Sequence, residues 1–131
     1  MPRDRQEIAA IFAGGAVGSA VRMLVAQLLP AQGAQFPWAT FCVNAAGCLL
    51  LGYLLTRLQE RLPVTAYRRP LLGTGFCGAL TTFSAFQLEL LQLLGRGALL
   101  LAALYCAASL AAGFIGVALG RAVVRRARLM W

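Results

Sequence analysis

Histidine and lysine are absent from this 131-residue chain, and it holds only four acidic residues. No imidazole base is available, no acid pair, and no serine–lysine arrangement, so an intramembrane or soluble hydrolase has nothing to work with. The four cysteines, Cys42, Cys48, Cys77 and Cys106, lack metal-ligand spacing, and no histidine exists to complete a zinc site. They fall inside apolar stretches and read as small packing residues. A nucleotide-binding loop is missing too. Charge itself is scarce: 12% of residues are charged and 60% are apolar, too few charges to cover the surface of a soluble domain. The net charge of +8 comes wholly from arginine. Those arginines lie between the apolar runs, a pattern that meets lipid headgroups rather than nucleic acid.

What is present is a series of long apolar runs. The first covers residues 8–29 and is broken only by Ser19, Arg22 and Gln27 before Pro30 ends it. About 20 residues at 1.5 Å each cross the hydrocarbon, so this run suffices; it is also too long for the core of a cleaved signal peptide. The second covers 38–56, opening on Trp38, a residue suited to the interface. The third covers 70–94, with Pro70 in its first turn, and the fourth 98–120 after the turn Gly95-Arg96-Gly97. Residues 1–131 therefore form one all-α membrane domain of four transmembrane helices. The loops are too short to be domains, so the helices must pack on one another. Gly14 and Gly18, and the stripe Ala108, Ala112, Gly116 and Gly120, permit the close approach that lipid-solvated helices need.

Polar groups within a span are costly, and function is sought there. Asn44 lies near the middle of the second run, one turn after Thr40, and offers two amide donors; an interhelical hydrogen bond is its simpler role. The third run holds Gly73-Thr-Gly-Phe-Cys-Gly-Ala-Leu-Thr-Thr82. Three glycines and a threonine pair weaken a helix at mid-membrane and free carbonyls there, which survive only if protein, water or an ion satisfies them. Such carbonyls suit a hard cation. Phe83, Ser84 and Phe86 follow, the two rings three residues apart on one face. Tyr105 and Ser109 make a second hydroxyl-bearing face. Arg22 either snorkels to the headgroups or stands at the mouth of an aqueous vestibule. Glu89, the one acid within a span, is either a surface residue or an arginine's partner.

These segments, Gly14-Gly-Ala-Val-Gly18 with Arg22, Val43-Asn-Ala-Ala-Gly47, and above all Gly75-Phe-Cys-Gly-Ala-Leu-Thr-Thr-Phe-Ser-Ala-Phe86, resemble the Fluc (CrcB) family of fluoride channels. The resemblance runs from residue 8 to about 120. It implies an antiparallel, dual-topology homodimer of four-helix subunits in the bacterial inner membrane, the third helix broken. It also implies two pores that let cytoplasmic fluoride out passively and a central structural sodium ion (Na+) on the carbonyls of Gly78 and Thr81. Asn44 would donate to permeating fluoride, Phe83 and Phe86 would line the pore, and Tyr105 and Ser109 would form a polar track, with Thr40 and Ser84 as further hydroxyls. Arg22 and Glu89 would stand in the vestibules. Some relatives carry another hydroxyl one turn on, where this chain has Gly113. The chemistry is consistent: fluoride is tightly hydrated, so a pore must replace its water with donors, and aromatic ring edges are positive. A small proton-coupled multidrug transporter has a similar length, but it needs a carboxylate in the first helix, and the run 8–29 has none.

The arginines add a tension. With four crossings, Arg3, Arg5, Arg57, Arg61, Arg68, Arg69, Arg121, Arg125, Arg126 and Arg128 share one side, and Arg96 stands alone on the other. The positive-inside rule then predicts both termini in the cytoplasm. An antiparallel homodimer instead requires the chain to insert both ways, which usually goes with balanced arginines.

Overall fold

The computed structural model describes residues 2–60 and 67–127; Arg61, Pro63 and Arg128 lie outside them. The described chain is helical: α1 is Pro2–Leu28, α2 Trp38–Glu60, a π-helix spans Arg69–Cys77, α3 is Gly78–Leu80, α4 Phe83–Gly95 and α5 Leu99–Arg126. Four helical stretches are long and apolar enough to cross a membrane: Asp4–Leu28, Trp38–Leu58, Arg69–Gly95 and Leu99–Arg126. The helices outrun the apolar sequence at their arginine-bearing ends. Charged residues there still form good helix, and only the hydrocarbon forbids them.

Glycine decides the packing. α1 lies along the π-helix and α2 along α5. A Cβ on Gly14 would overlap the Leu71 carbonyl oxygen, and one on Gly18 the Phe76 carbonyl. On the other pair, a Cβ on Gly120 would strike the Leu49 carbonyl, and one on Gly116 would sit 3.2 Å from the Ala45 carbonyl. Lipid tails are as apolar as leucine, so the attraction between these helices is close van der Waals contact, which any side chain here would prevent. The first glycine pair and the lower half of the α5 stripe thus act as their spacing predicts.

At one end of the bundle Phe86, Leu93, Ala102 and Tyr105 form a buried cluster flanked by Phe36 and Phe41. The Phe36 ring meets Tyr105 edge-on at 5.3 Å, a favoured aromatic geometry. Trp38 caps this end and is exposed. There the Arg96 guanidinium donates to the Gly33 carbonyl, tying the 29–37 connection to the α4–α5 turn. Gly33 and Gly97 take positive φ, +65° and +73°, a region that L side chains resist.

Between α3 and α4 the backbone leaves the helix. Thr81 (φ −79°, ψ 145°) and Thr82 (φ −144°, ψ 117°) are extended, close to midway between Arg69 and Gly95. Thr82 then caps α4, its Oγ1 accepting from the Ala85 N–H at 3.2 Å.

Candidate functional site

Two extended residues disrupt the helical ladder and leave backbone groups that need partners. Asn44 on α2 supplies a pair. Its Nδ2 donates to the Thr82 carbonyl at 3.1 Å, and the Thr82 N–H donates to its Oδ1 at 2.8 Å. The side chain stands in for a backbone strand and brackets Thr82 from both sides. One of its two amide N–H groups is used; the second remains. Arg22 on α1 supplies another partner, its Nε donating to the Ala79 carbonyl at 3.2 Å. Arg22 therefore reaches inward to the end of α3, where the sequence had left a choice between headgroups and a vestibule. The Thr81 hydroxyl back-bonds to the Cys77 carbonyl at 2.9 Å, which the Thr81 N–H also meets.

After that accounting, the carbonyls of Gly78 and Thr81 accept no hydrogen bond among the described residues. Gly78 is exposed on the single subunit, and Thr81 is partly so. No cluster of three or more histidine, cysteine or acidic side chains exists among the described residues to hold a metal. The free carbonyls are thus the chemistry available to a hard cation.

Beside the interruption, an open groove of about 690 Å³ runs between α2, the 81–86 segment and α5. One end is lined by Asn44, Thr81, Thr82, Phe83, Phe86 and Ser109, and the wall continues past Leu110, Gly113 and Phe114 to Arg121. No acidic side chain lines it. The Ser109 hydroxyl is buried and has no partner among the described residues. Phe83 and Phe86 are stacked at 5.9 Å, but they differ in setting: Phe83 is 70% exposed and Phe86 only 9%. Gly113 leaves room in the wall, since a Cβ there would meet only the Cys48 sulfur at 3.7 Å.

A second polar group lies nearer the Trp38 end. Glu89 accepts from the Thr40 hydroxyl at Oε1 and from the Tyr105 hydroxyl at Oε2, both at 2.7 Å. Glu89 is half-buried, and its partners among the described residues are these two hydroxyls rather than an arginine. Tyr105 and Ser109 share a helix but not a setting. Tyr105 is fully buried with its proton committed to Glu89, whereas Ser109 faces the groove. Ser84 is exposed and shares a 3.2 Å hydrogen bond with the Thr82 hydroxyl.

The structure thus gathers Asn44, Thr81, Phe83, Phe86 and Ser109 at the groove, sets Thr40, Tyr105 and Glu89 together apart from it, and places Arg22 at the end of α3. Sequence reading passed over Thr82, Cys48, Phe114 and Arg121. Thr82 was legible only as half of a threonine pair, and Arg121 only as one of many arginines fixing orientation.

The described residues thus form an all-helical arrangement with four stretches able to span a membrane and, beside the interruption in the third, a mainly apolar groove that no acid lines. The family model described as CrcB-like protein, Camphor Resistance (CrcB), matches residues 9–121, and the chain belongs to this family. It is 52% identical over 126 residues to "Fluoride-specific ion channel FluC 1" of Mycolicibacterium paratuberculosis, covering 96% of each chain. It is 48% identical, with the same coverage, to the protein of that name from Mycobacterium tuberculosis. A "Fluoride-specific ion channel FluC" of Chlorobium phaeobacteroides is 39% identical over 88% of this chain and 90% of its own length.

Proposed function

We propose that this protein is a passive, fluoride-selective channel of the bacterial inner membrane that lets cytoplasmic fluoride escape. The observation that carries the reading is the composition of the groove. Its polar end offers the second Asn44 N–H and the unpartnered Ser109 hydroxyl, its wall offers two phenylalanine rings, and Arg121 stands at its mouth. The Asn44 N–H, the Ser109 hydroxyl and Arg121 are groups that an anion prefers, and the lining holds no carboxylate to raise the barrier to a negative ion. A small anion trades water for these donors, while the ring edges of Phe83 and Phe86 present their positive rim.

The reading includes a second subunit in the opposite orientation, giving two pores; in detergent, where no bilayer fixes sidedness, two copies can pair this way as a homodimer. Support comes from the interruption in the third segment, taken to lie at mid-membrane. Carbonyls exposed to lipid at that depth are too costly to leave bare, so a neighbour must cover Gly78 and Thr81. The residues fit a structural sodium ion, because these two carbonyls are free and oxygen donors suit it. Gly78 and Thr81 of each subunit would hold it, and the ion would supply the positive charge that ties the subunits together. The remaining residues act on their own account: Asn44 holds the extended backbone open, Arg22 restrains the end of α3, and Thr40 and Tyr105 fix Glu89 away from the groove. That last arrangement also counts against a proton-coupled multidrug transporter, whose exchanging carboxylate would need to meet the substrate path.

Fluoride efflux from liposomes containing detergent-purified protein tests the proposal. Fluoride should leave rapidly and chloride hardly at all, with no proton or sodium gradient required. Efflux no faster than from protein-free liposomes would overturn it.

A further inference from the structure

We propose that a slot between α2 and α5 holds the phosphate of an anionic phospholipid on Arg121 and Arg125, and that lipid seated there restrains fluoride entry. The restraint rests on the channel reading above; the binding stands without it. α2 and α5 touch through backbone where Gly52 meets Val117, since a Cβ on Gly52 would fall 2.5 Å from the Val117 carbonyl oxygen. Beside that contact opens a slot of about 340 Å³, separate from the groove, with Leu51, Leu55 and Val117 as its apolar wall and Arg121 and Arg125 as its charged one. Thr56 also lines it, but this side chain is buried and its hydroxyl donates to the Gly52 carbonyl at 2.8 Å. Among the described residues no acidic side chain lines the slot. The two arginines are exposed and stand one turn apart on one helix face, about 6 Å along the axis. Among the described residues Arg22 and Arg96 each donate to a carbonyl, whereas Arg121 and Arg125 have neither a hydrogen bond nor an ion pair.

This combination selects its ligand. The planar fork of a guanidinium matches the oxygens of a phosphate, and two forks a turn apart can grip one phosphate from both sides. Arg121 is the first charged residue after the uncharged run 98–120, so it stands where hydrocarbon gives way to headgroups. A soluble phosphate would use the arginines and leave Leu51, Leu55 and Val117 idle. A phospholipid uses both walls, with the head of an acyl chain laid along the apolar one. A zwitterionic headgroup brings its own cation to compete with the guanidiniums, and phosphatidylglycerol brings none, so the anionic lipid is preferred. Arg121 lines the groove as well as the slot. A phosphate on it occupies the cation that would meet an incoming anion and sets a negative charge at the groove mouth. Fluoride entry should then slow by about threefold to tenfold.

The test has two readouts on the full chain. Native mass spectrometry of detergent-purified protein, mixed with equal phosphatidylglycerol and phosphatidylcholine, reads binding. Fluoride efflux from liposomes of phosphatidylcholine alone, or with phosphatidylglycerol added, reads the restraint. The unaltered protein should retain phosphatidylglycerol in preference, and its efflux should slow when that lipid is present. Arg125→Gln should lose both the preference and the slowing. Arg126→Gln removes an equal charge from an exposed neighbour that does not line the slot, and it should keep both. Equal retention of phosphatidylglycerol by the unaltered protein and Arg125→Gln would overturn the site, and so would equal losses in the two variants, which would mark a diffuse charge effect. Displacement of the lipid by millimolar inorganic phosphate would assign the slot to a soluble anion and overturn the lipid. Slowing of the same size in Arg125→Gln would trace the effect to membrane surface charge and overturn the restraint. Retention that depends on Arg125, with no fluoride efflux in either lipid, would uphold the site and refute the channel reading instead.

Discussion

Replacing Asn44 with aspartate separates a pore-lining amide from a packing one, because the two side chains have the same shape. In the structure Oδ1 accepts from the Thr82 N–H at 2.8 Å, and Nδ2 donates to the Thr82 carbonyl at 3.1 Å. Asn44→Asp keeps the first bond and sets a carboxylate oxygen against the Thr82 carbonyl in place of the second. An orphaned carbonyl of this kind costs about 1–3 kcal/mol of stability. The effect on fluoride is larger. The side chain loses the N–H that would meet the anion and presents a negative charge in its place. At about 4 Å and an effective dielectric of about 20, that charge repels fluoride by about 4 kcal/mol. Through the barrier this is about a thousandfold in rate. The assay is fluoride efflux from liposomes at neutral pH, on protein that elutes from size-exclusion chromatography at the same volume as the unaltered protein. Efflux within about threefold of the unaltered protein would refute the reasoning and assign Asn44 to holding the bundle alone.

Other substitutions separate packing from conduction. Ser109→Ala removes a buried hydroxyl that has no partner among the described residues, so stability should hold or rise by up to about 1 kcal/mol while fluoride efflux slows. Unchanged efflux would remove Ser109 from the path. Tyr105→Phe strips one donor from Glu89 and should cost about 1–3 kcal/mol, seen as a lower thermal unfolding temperature. A neutral result would mean that Glu89 finds another partner. Gly14→Ala drives a methyl group into the Leu71 carbonyl and should abolish the folded protein, whereas Gly73→Ala meets nothing within 4 Å and should express normally. Gly47→Ala places its methyl on that of Thr81, so the Thr81 hydroxyl should leave the Cys77 carbonyl, at a cost of about 1–3 kcal/mol. Equal thermal stability of Gly47→Ala and the unaltered protein would show that Thr81 moves freely.

The spans were legible because lipid imposes a simple rule, roughly 20 apolar residues between polar ends, and the four helical stretches overlap the four runs read from sequence, the first ending and the fourth beginning one residue inside its run. Gly14, Gly18, Gly116 and Gly120 were legible for a similar reason: only glycine lets backbones meet at those distances. What a single sequence does not carry is pairing across the bundle. Glu89 and Tyr105 are 16 positions apart and Asn44 and Thr82 are 38, so nothing local says that they touch. Arg22 was ambiguous because its flexible stem can place the guanidinium up or down the helix by several ångströms. The π-helical turns from Arg69 to Cys77 left no mark beyond the glycines that tolerate them. Tyr105 and Ser109 have the right spacing for one track. The aromatic cluster buries the first of them, and only the folded structure reveals which hydroxyl stays free.

The central claim is that fluoride alone, driven by its own gradient, passes through this protein. The most direct measurement is the reversal potential of a planar bilayer holding the purified channel, with fluoride varied on one side and proton and sodium gradients imposed independently. A fluoride-selective passive pore predicts a shift of about 59 mV for each tenfold change in fluoride and none with either cation. A potential that follows the proton or chloride gradient would contradict it.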